Sequence, residues 1–529
     1  MSHLNTKKRS SVTRILPVVV AVVALLLAVS AHAAVPGIKG SSFALSASDG
    51  YSSQPDGALI YSWGYSCAGS ATVPNFQPFA PDPAFPNGGC PPMQLPGPTL
   101  IVTEGIPVTV TLTNHLPAAA GRTSIIFAGF QVTTPGCTTQ GVLTCEAAPG
   151  ATVTYTFTPT APGTHAYYSG TQPDLQIEMG LYGAVVVLPA TPAAGCQPVG
   201  SNPQLQGRPD YRLATSAYDN TATCYDREYL FQWGEMDPKI HRQAEEQVRA
   251  AQAVSATAPA PLNVRTEPYH PSYFVINGRS MPDDMDANYA PNYPNQPYNS
   301  NPHMHPGDMV LIRVIGQGRF QHPFHEHGNH VRILGRDGNL ILAQGTTTNN
   351  AATALLAGRM EFTTDTTPGQ AFDGIFYWSG KGLGWDIYGH KSGDGSTCTP
   401  NANGYDTTGS ATSIYYEWCA DHNHALETNP IGNVAGGGSA TLPDPLIATN
   451  GPWFNGTPYL GPDAVNKSRG PTPLPPGGVP LQNPPEESGI AFMWHSHNER
   501  EITTNDLFPG GMLMMMLVDP PVFVIDETL

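Results

Sequence analysis

The sequence predicts an all-β protein built as two tandem β-sandwiches, with one short linking helix and a long loop insertion in the second sandwich. Three observations predict this. In "TLIVTEGIPVTVTLTN" (Thr99 to Asn114) and "ATVTYTFTPT" (Ala151 to Thr160), β-branched residues fall on every second position, the period of a strand with one buried face. The same pattern returns at Gly307 to Gln317, His330 to Gln344, Gln370 to Trp378, Gly489 to His497 and Gly511 to Ile525, a second series of strands. The 55 glycines and 54 prolines, beside only 12% charged residues, mark frequent turns and leave little room for helices.

In chain order, residues 1–33 read as an export signal. Lys7, Lys8, Arg9 and Arg14 precede the apolar run "ILPVVVAVVALLLAV", and a small-residue "AHA" site ends at Ala33. The run is shorter than the roughly 20 residues of a membrane span, so the expectation is cleavage near Ala34 and a periplasmic or extracellular chain with no membrane association afterwards. Residues 34–192 are expected to form the first sandwich and 193–265 a linker. Within that linker "DPKIHRQAEEQVRAAQAV" (Asp237 to Val254) is rich in helix formers. Residues 266–529 are expected to form the second sandwich, interrupted at about 379–488, where the strand rhythm gives way to Gly, Asn, Pro and Thr.

Eight cysteines, an even number, fit disulfides in an oxidising compartment. Pairing of neighbours (67 with 90, 137 with 145, 196 with 224, 398 with 419) is the simplest arrangement, because each pair falls within one loop-like segment. The formal charge of −17, more negative still without the signal cations, argues against nucleic acid and anionic membranes as partners.

Two short runs hold the chemistry. "HPFHEHGNH" (His322 to His330) places four histidines in nine residues, and "WHSHNERE" (Trp494 to Glu501) adds two more. Histidines two apart on a strand share a face, so His325 with His327 and His495 with His497 make two same-face pairs, which could converge on one metal if their strands lie side by side, as the resemblance described below implies. Imidazole suits copper, zinc, iron or nickel, with Cu(II) held most tightly. Glu326, Glu499 and Glu501 are candidates to orient the rings; alternation sends Glu326 to the opposite face, which makes it the poorest direct ligand of the three. The plainer alternative is a cluster of histidines held by hydrogen bonds without metal. His303, Met304 and His305 in "PHMHPGD", and Cys419, His422 and His424 in "CADHNHAL", are weaker metal motifs, and Met512, Met514, Met515 and Met516 read as a packed strand.

The order of these segments resembles the multicopper oxidases, the laccase and ascorbate oxidase group. "LPGPTLIVTEGIPVTVTLTNHLP", "TSIIFAGF" and "PGTHAYYSGTQPDLQIEMGLYGAVVVLP" follow that family's first cupredoxin domain. "HPFHEHGNH" is similar to its His-Pro-x-His-x-His-Gly run, and "HSHNEREITTNDLFPGGMLMMMLV" to its terminal His-Cys-His segment and Gly-Met strand. The resemblance implies tandem cupredoxin-like Greek-key sandwiches, copper as cofactor, a small reductant or a metal ion as substrate, and, by analogy with two-domain relatives, a homotrimer. His322 matches the type 1 copper histidine, which implies a ligand role, or a structural one given Ser496.

The departures are specific. Ile126, Ala128, Tyr168 and Gly170 stand where the first domain of the family carries four histidines of its three-copper cluster. Ser496 replaces the cysteine of the type 1 site, and Arg500 and Glu501 stand where a further histidine is usual. A serine hydroxyl cannot supply the soft thiolate on which that site depends. The expectation is therefore an exported copper-binding oxidoreductase with a reduced copper complement, one or two ions per chain, on His325, His327, His495 and His497. The alternatives are a non-catalytic copper-binding or structural protein of the same fold, and a cell-surface module acting through its insertion.

Overall fold

Along Val108–Asn114 buried and half-exposed residues alternate without a break. This strand pairs with Ser42–Ser53 on one side and Thr152–Phe157 on the other, and Leu59–Ser66 completes a four-stranded sheet. A six-stranded sheet faces it, in the order Phe76–Gln77, Gly37–Lys39, Leu100–Thr103, Tyr182–Leu188, Gly163–Tyr168, Ile126–Phe127. Phe43, Trp63, Val110, Leu112, Phe127 and Tyr155 fill the space between them. The computed structural model describes residues 35–67, 76–77, 90–198, 210–255, 259–343, 354–379, 457–459 and 489–519, with a few isolated positions besides. The proposed signal, most of the 379–488 insertion, the Cys398–Cys419 pairing and the "CADHNHAL" run lie outside the described residues.

A second pair of sheets follows. One runs Tyr273–Ile276, Arg227–Met236, Met309–Gly316, Ala371–Tyr377, Val331–Arg336, Asn339–Leu340; the other runs His303–Met304, Leu513–Val518, Gly489–Ser496, His322–Glu326, Thr363–Thr366. Trp233, Phe324, Phe376, Trp494, Met514 and Met516 pack between them, so these methionines fill a core, as the strand reading expected. At Asp337 and Gly338, both with positive φ, the chain turns from Val331–Arg336 into Asn339–Leu340.

One boundary needs correction. The stretch expected to be only linker and helix supplies Arg227–Met236, a strand of the second sandwich that pairs in parallel with Met309–Gly316. All ten of its residues are buried, so it lacks the period-2 signal of a half-exposed strand.

The helix itself, Pro238–Val254, starts where Asp237 accepts a hydrogen bond from the Lys239 amide at 2.9 Å and Pro238 opens the first turn. It lays Ile240 and Ala244 onto the core of the first sandwich. Between the sandwiches, Asp373 accepts hydrogen bonds from the Thr164 hydroxyl at 2.6 Å and the Tyr218 hydroxyl at 2.7 Å, and it pairs with Arg313 at 3.3 Å. Disulfides join Cys67 to Cys90, Cys137 to Cys145 and Cys196 to Cys224, the neighbour pairing expected. Among the described residues, no helix is long and apolar enough to cross a membrane.

Candidate metal centre

Antiparallel pairing of His322–Glu326 with Gly489–Ser496 sets His325 directly opposite His495. Because side chains alternate, this register turns both imidazoles to one face while Phe324 and Trp494 go into the core. His327 follows one step beyond the strand, on the same face; its amide donates to the Met493 carbonyl at 3.3 Å and its own carbonyl accepts from the Trp494 indole at 3.0 Å. Gly328 then turns the chain away at φ 101°, where a Cβ would approach the Phe492 ring to 3.1 Å.

Ring nitrogens of His325, His327 and His495 all lie within 4.8 Å of one another. The Nε2 atoms of His327 and His495 are 3.3 Å apart. Two imidazoles bound at about 2.0 to 2.1 Å in a tetrahedral arrangement would hold their nitrogens at about this separation. The His495 ring is oriented by its Nδ1, which donates to the Ser496 carbonyl at 2.7 Å and leaves the Nε2 lone pair directed at the cluster. The Thr363 hydroxyl sits 2.7 Å from His325 Nδ1. Burial, followed by the neighbouring histidines, lowers both His325 and His327 to a pKa of about 4. Burial lowers His495 as well. All three are therefore neutral, the form that binds metal, across the ordinary pH range.

His497 borders the group, its ring 4.9 Å from His325 and 5.4 Å from His495, but it is exposed and its Nδ1 lies 3.2 Å from Glu499. Glu326 points to the core as alternation predicts, where it accepts from the Thr364 hydroxyl at 3.0 Å. His303 and His305 stand apart from the cluster: His303 Nδ1 lies 2.7 Å from Asp519, and His305 belongs with Arg227 and Asp308.

His322 stands apart from the cluster. It is fully buried, with Nδ1 2.9 Å from Glu501 Oε2 and Nε2 3.1 Å from Glu235 Oε2. Each ring nitrogen is thus taken up by a glutamate oxygen rather than turned toward the cluster. Glu501 faces His322 and Ser496, whose hydroxyl it accepts, and so does not orient a cluster histidine. Glu235 carries no motif and lies on the strand that lacked an alternating pattern, so sequence reasoning missed it.

In the first sandwich, Ile126 pairs in register with Tyr168. A Cβ added at Gly170 would meet Ile126 Cγ1 at 2.8 Å. Ile126, Tyr168 and Gly170 are thus neighbours, and none of them supplies an imidazole.

Two family models, both described as multicopper oxidase, match residues 92–192 and 265–370. Both stretches are multicopper oxidase domains. Copper is accordingly its cofactor, and its sandwiches are cupredoxin-like. Over 95 residues, 18% of this chain and 16% of the relative, it is 37% identical to an L-ascorbate oxidase of Brassica rapa subsp. pekinensis, so most of that relative has no counterpart in the match. Among solved structures, it is similar to a blue copper oxidase from Nitrosomonas europaea, at 15% identity over 92% of this chain and 90% of that one with a TM-score of 0.43. It is also similar to the multicopper oxidase mgLAC, at 14% identity over 90% and 86% with a TM-score of 0.41. The imidazoles of His325, His327 and His495 are grouped as a metal ion would need, whereas His322 is taken up by Glu235 and Glu501 beside Ser496.

Proposed function

We propose that this chain is an exported oxidoreductase with a reduced copper complement, holding a single copper ion on His325, His327 and His495, with His497 as a fourth imidazole at the rim. The observation that carries the proposal is the convergence of three neutral imidazoles, two of them with facing Nε2 atoms at 3.3 Å. Copper bound there would supply one-electron exchange. The chain's own part is to orient the rings through Thr363 and the Ser496 carbonyl, to keep them unprotonated by burial, and to leave an outer side at the exposed His497. A small reductant or a metal ion is the substrate class that suits so open a rim.

Export is supported by the apolar N-terminal run and by three disulfides. The domain division at 34–192 and 266–529, with Arg227–Met236 added to the second, and assembly as a homotrimer rest on the sheet pairing and the family resemblance respectively. A second reading, a non-catalytic copper-binding protein, draws on Ser496, since without the thiolate no electron path leads from a type 1 site to the histidines. Elemental analysis of the purified protein beside a His327→Ala/His495→Ala variant tests the proposal. Copper should be lost from the variant; equal copper in the two would refute the ligand assignment.

A further inference from the structure

The position of the missing type 1 copper is not merely short of one ligand. We infer that it is built to hold a proton: His322 is an imidazolium whose charge stands where the family places a metal ion, clamped between Glu235 and Glu501. Glu235 comes from Arg227–Met236 in one sheet, His322 from His322–Glu326 in the facing sheet, and Glu501 from the Glu499–Ile502 turn just after the cluster histidines. The clamp therefore joins both sheets of the second sandwich to the turn that follows His497.

Every carboxylate oxygen in it has a donor. Glu235 Oε1 accepts from the amides of Arg319 at 2.7 Å and Phe320 at 3.0 Å and from the Tyr269 hydroxyl at 3.0 Å, while Oε2 accepts from His322. Glu501 Oε2 accepts from His322 and the Ser496 hydroxyl, and Oε1 from the Asn498 side chain at 2.8 Å. His322, Glu235 and Glu501 are each at most 3% exposed. A buried charge survives only when paired and hydrogen-bonded, and here the cation is the ring itself. A metal ion would have to displace the Nδ1 hydrogen, break the bond to Glu501 and face a serine hydroxyl instead of a thiolate. Ser496 and Glu501 are thus a coordinated replacement: the hydroxyl donates to the carboxylate that the imidazolium needs. Burial alone would lower the ring's pKa, but the hydrogen bonds to Glu235 and then Glu501 outweigh it and hold it at about 9.

The inference departs from the copper assignment above in concerning a different group, and its first test does not depend on whether the cluster binds copper. In full-length protein labelled with 15N-histidine, His322, assigned through its proximity to the Trp233 ring at 6.4 Å, should show two protonated ring nitrogens at pH values well above 6.5. One protonated and one bare nitrogen at neutral pH would overturn the inference. The second test is copper content in His322→Gln. An unchanged copper-to-protein ratio is expected; loss of one ion per chain would assign the position to a metal. Where the variant fails to fold, the nitrogen spectrum of the wild-type protein decides alone.

Discussion

Replacing His322 by glutamine removes the ring proposed to be a cation between Glu235 and Glu501 and leaves both carboxylates buried. Breaking a buried pair from one side costs about 3 to 5 kcal/mol. The ring gives a second route to the magnitude, because its pKa rises from the usual 6.5 to about 9. At 1.36 kcal/mol per unit, that corresponds to roughly 3 kcal/mol of folding stability. The sign follows from the raised value: the contribution is complete below the unfolded pKa of about 6.5 and is lost as pH rises through about 9. Urea unfolding read by tryptophan fluorescence is a suitable assay, since Trp233 and Trp494 are fully buried in this sandwich. Near pH 6 the variant should be less stable than wild type by about 3 kcal/mol, and the two should converge by about pH 10, where the wild-type ring has lost its proton. Parallel stability curves across that range would refute the reasoning, because a purely packing role for His322 carries no such pH dependence.

With Ser496 in place of the cysteine, copper-loaded protein should lack the intense visible band of thiolate-to-copper charge transfer; a strong band in the oxidised spectrum would require another sulfur ligand. As His325 and His327 titrate near a pKa of about 4, dialysis at falling pH should leave copper bound until the pH nears that value. Release complete near pH 6.5, the ordinary histidine range, would contradict the buried, mutually coupled cluster. If the copper complement is reduced as proposed, oxygen consumption with phenols, Cu(I), Fe(II) or Mn(II) should be slow and accompanied by peroxide. Rapid turnover without peroxide in an oxygen-electrode assay would show that the missing ligands are supplied from elsewhere.

What the sequence disclosed and what it hid divide along physical lines. Val108–Asn114 and Thr152–Phe157 were legible because one face of each meets the core and the other solvent, so the side-chain period appears in the letters. Arg227–Met236 was not, because every residue is buried and the pattern vanishes. The hairpin of Ser42–Ser53 and Leu59–Ser66 was equally hard to read, with serine and tyrosine largely in place of β-branched residues.

The same division holds at the site. His325, His327 and His495 were legible because strand alternation fixes which neighbours share a face and the family resemblance puts the two strands side by side; His497, named with them, sits exposed at the rim. The true surroundings of His322 depend on partners 87 and 179 residues away in the chain, and no local pattern carries that information. Glu501 was read as a carboxylate orienting a cluster ring and as the absence of a histidine, whereas it holds His322. Its meaning emerges once Ser496, His322 and Glu235 are seen around it.

X-ray absorption of the copper-loaded, full-length protein tests the central claim most directly, because it reads the atoms around copper without reference to activity. The account predicts a first shell of nitrogen and oxygen scatterers at about 2.0 Å, with the outer-shell signature of three or four imidazoles. It also predicts neither a sulfur shell nor a second copper nearby. A short copper–sulfur distance or a copper–copper vector would contradict it.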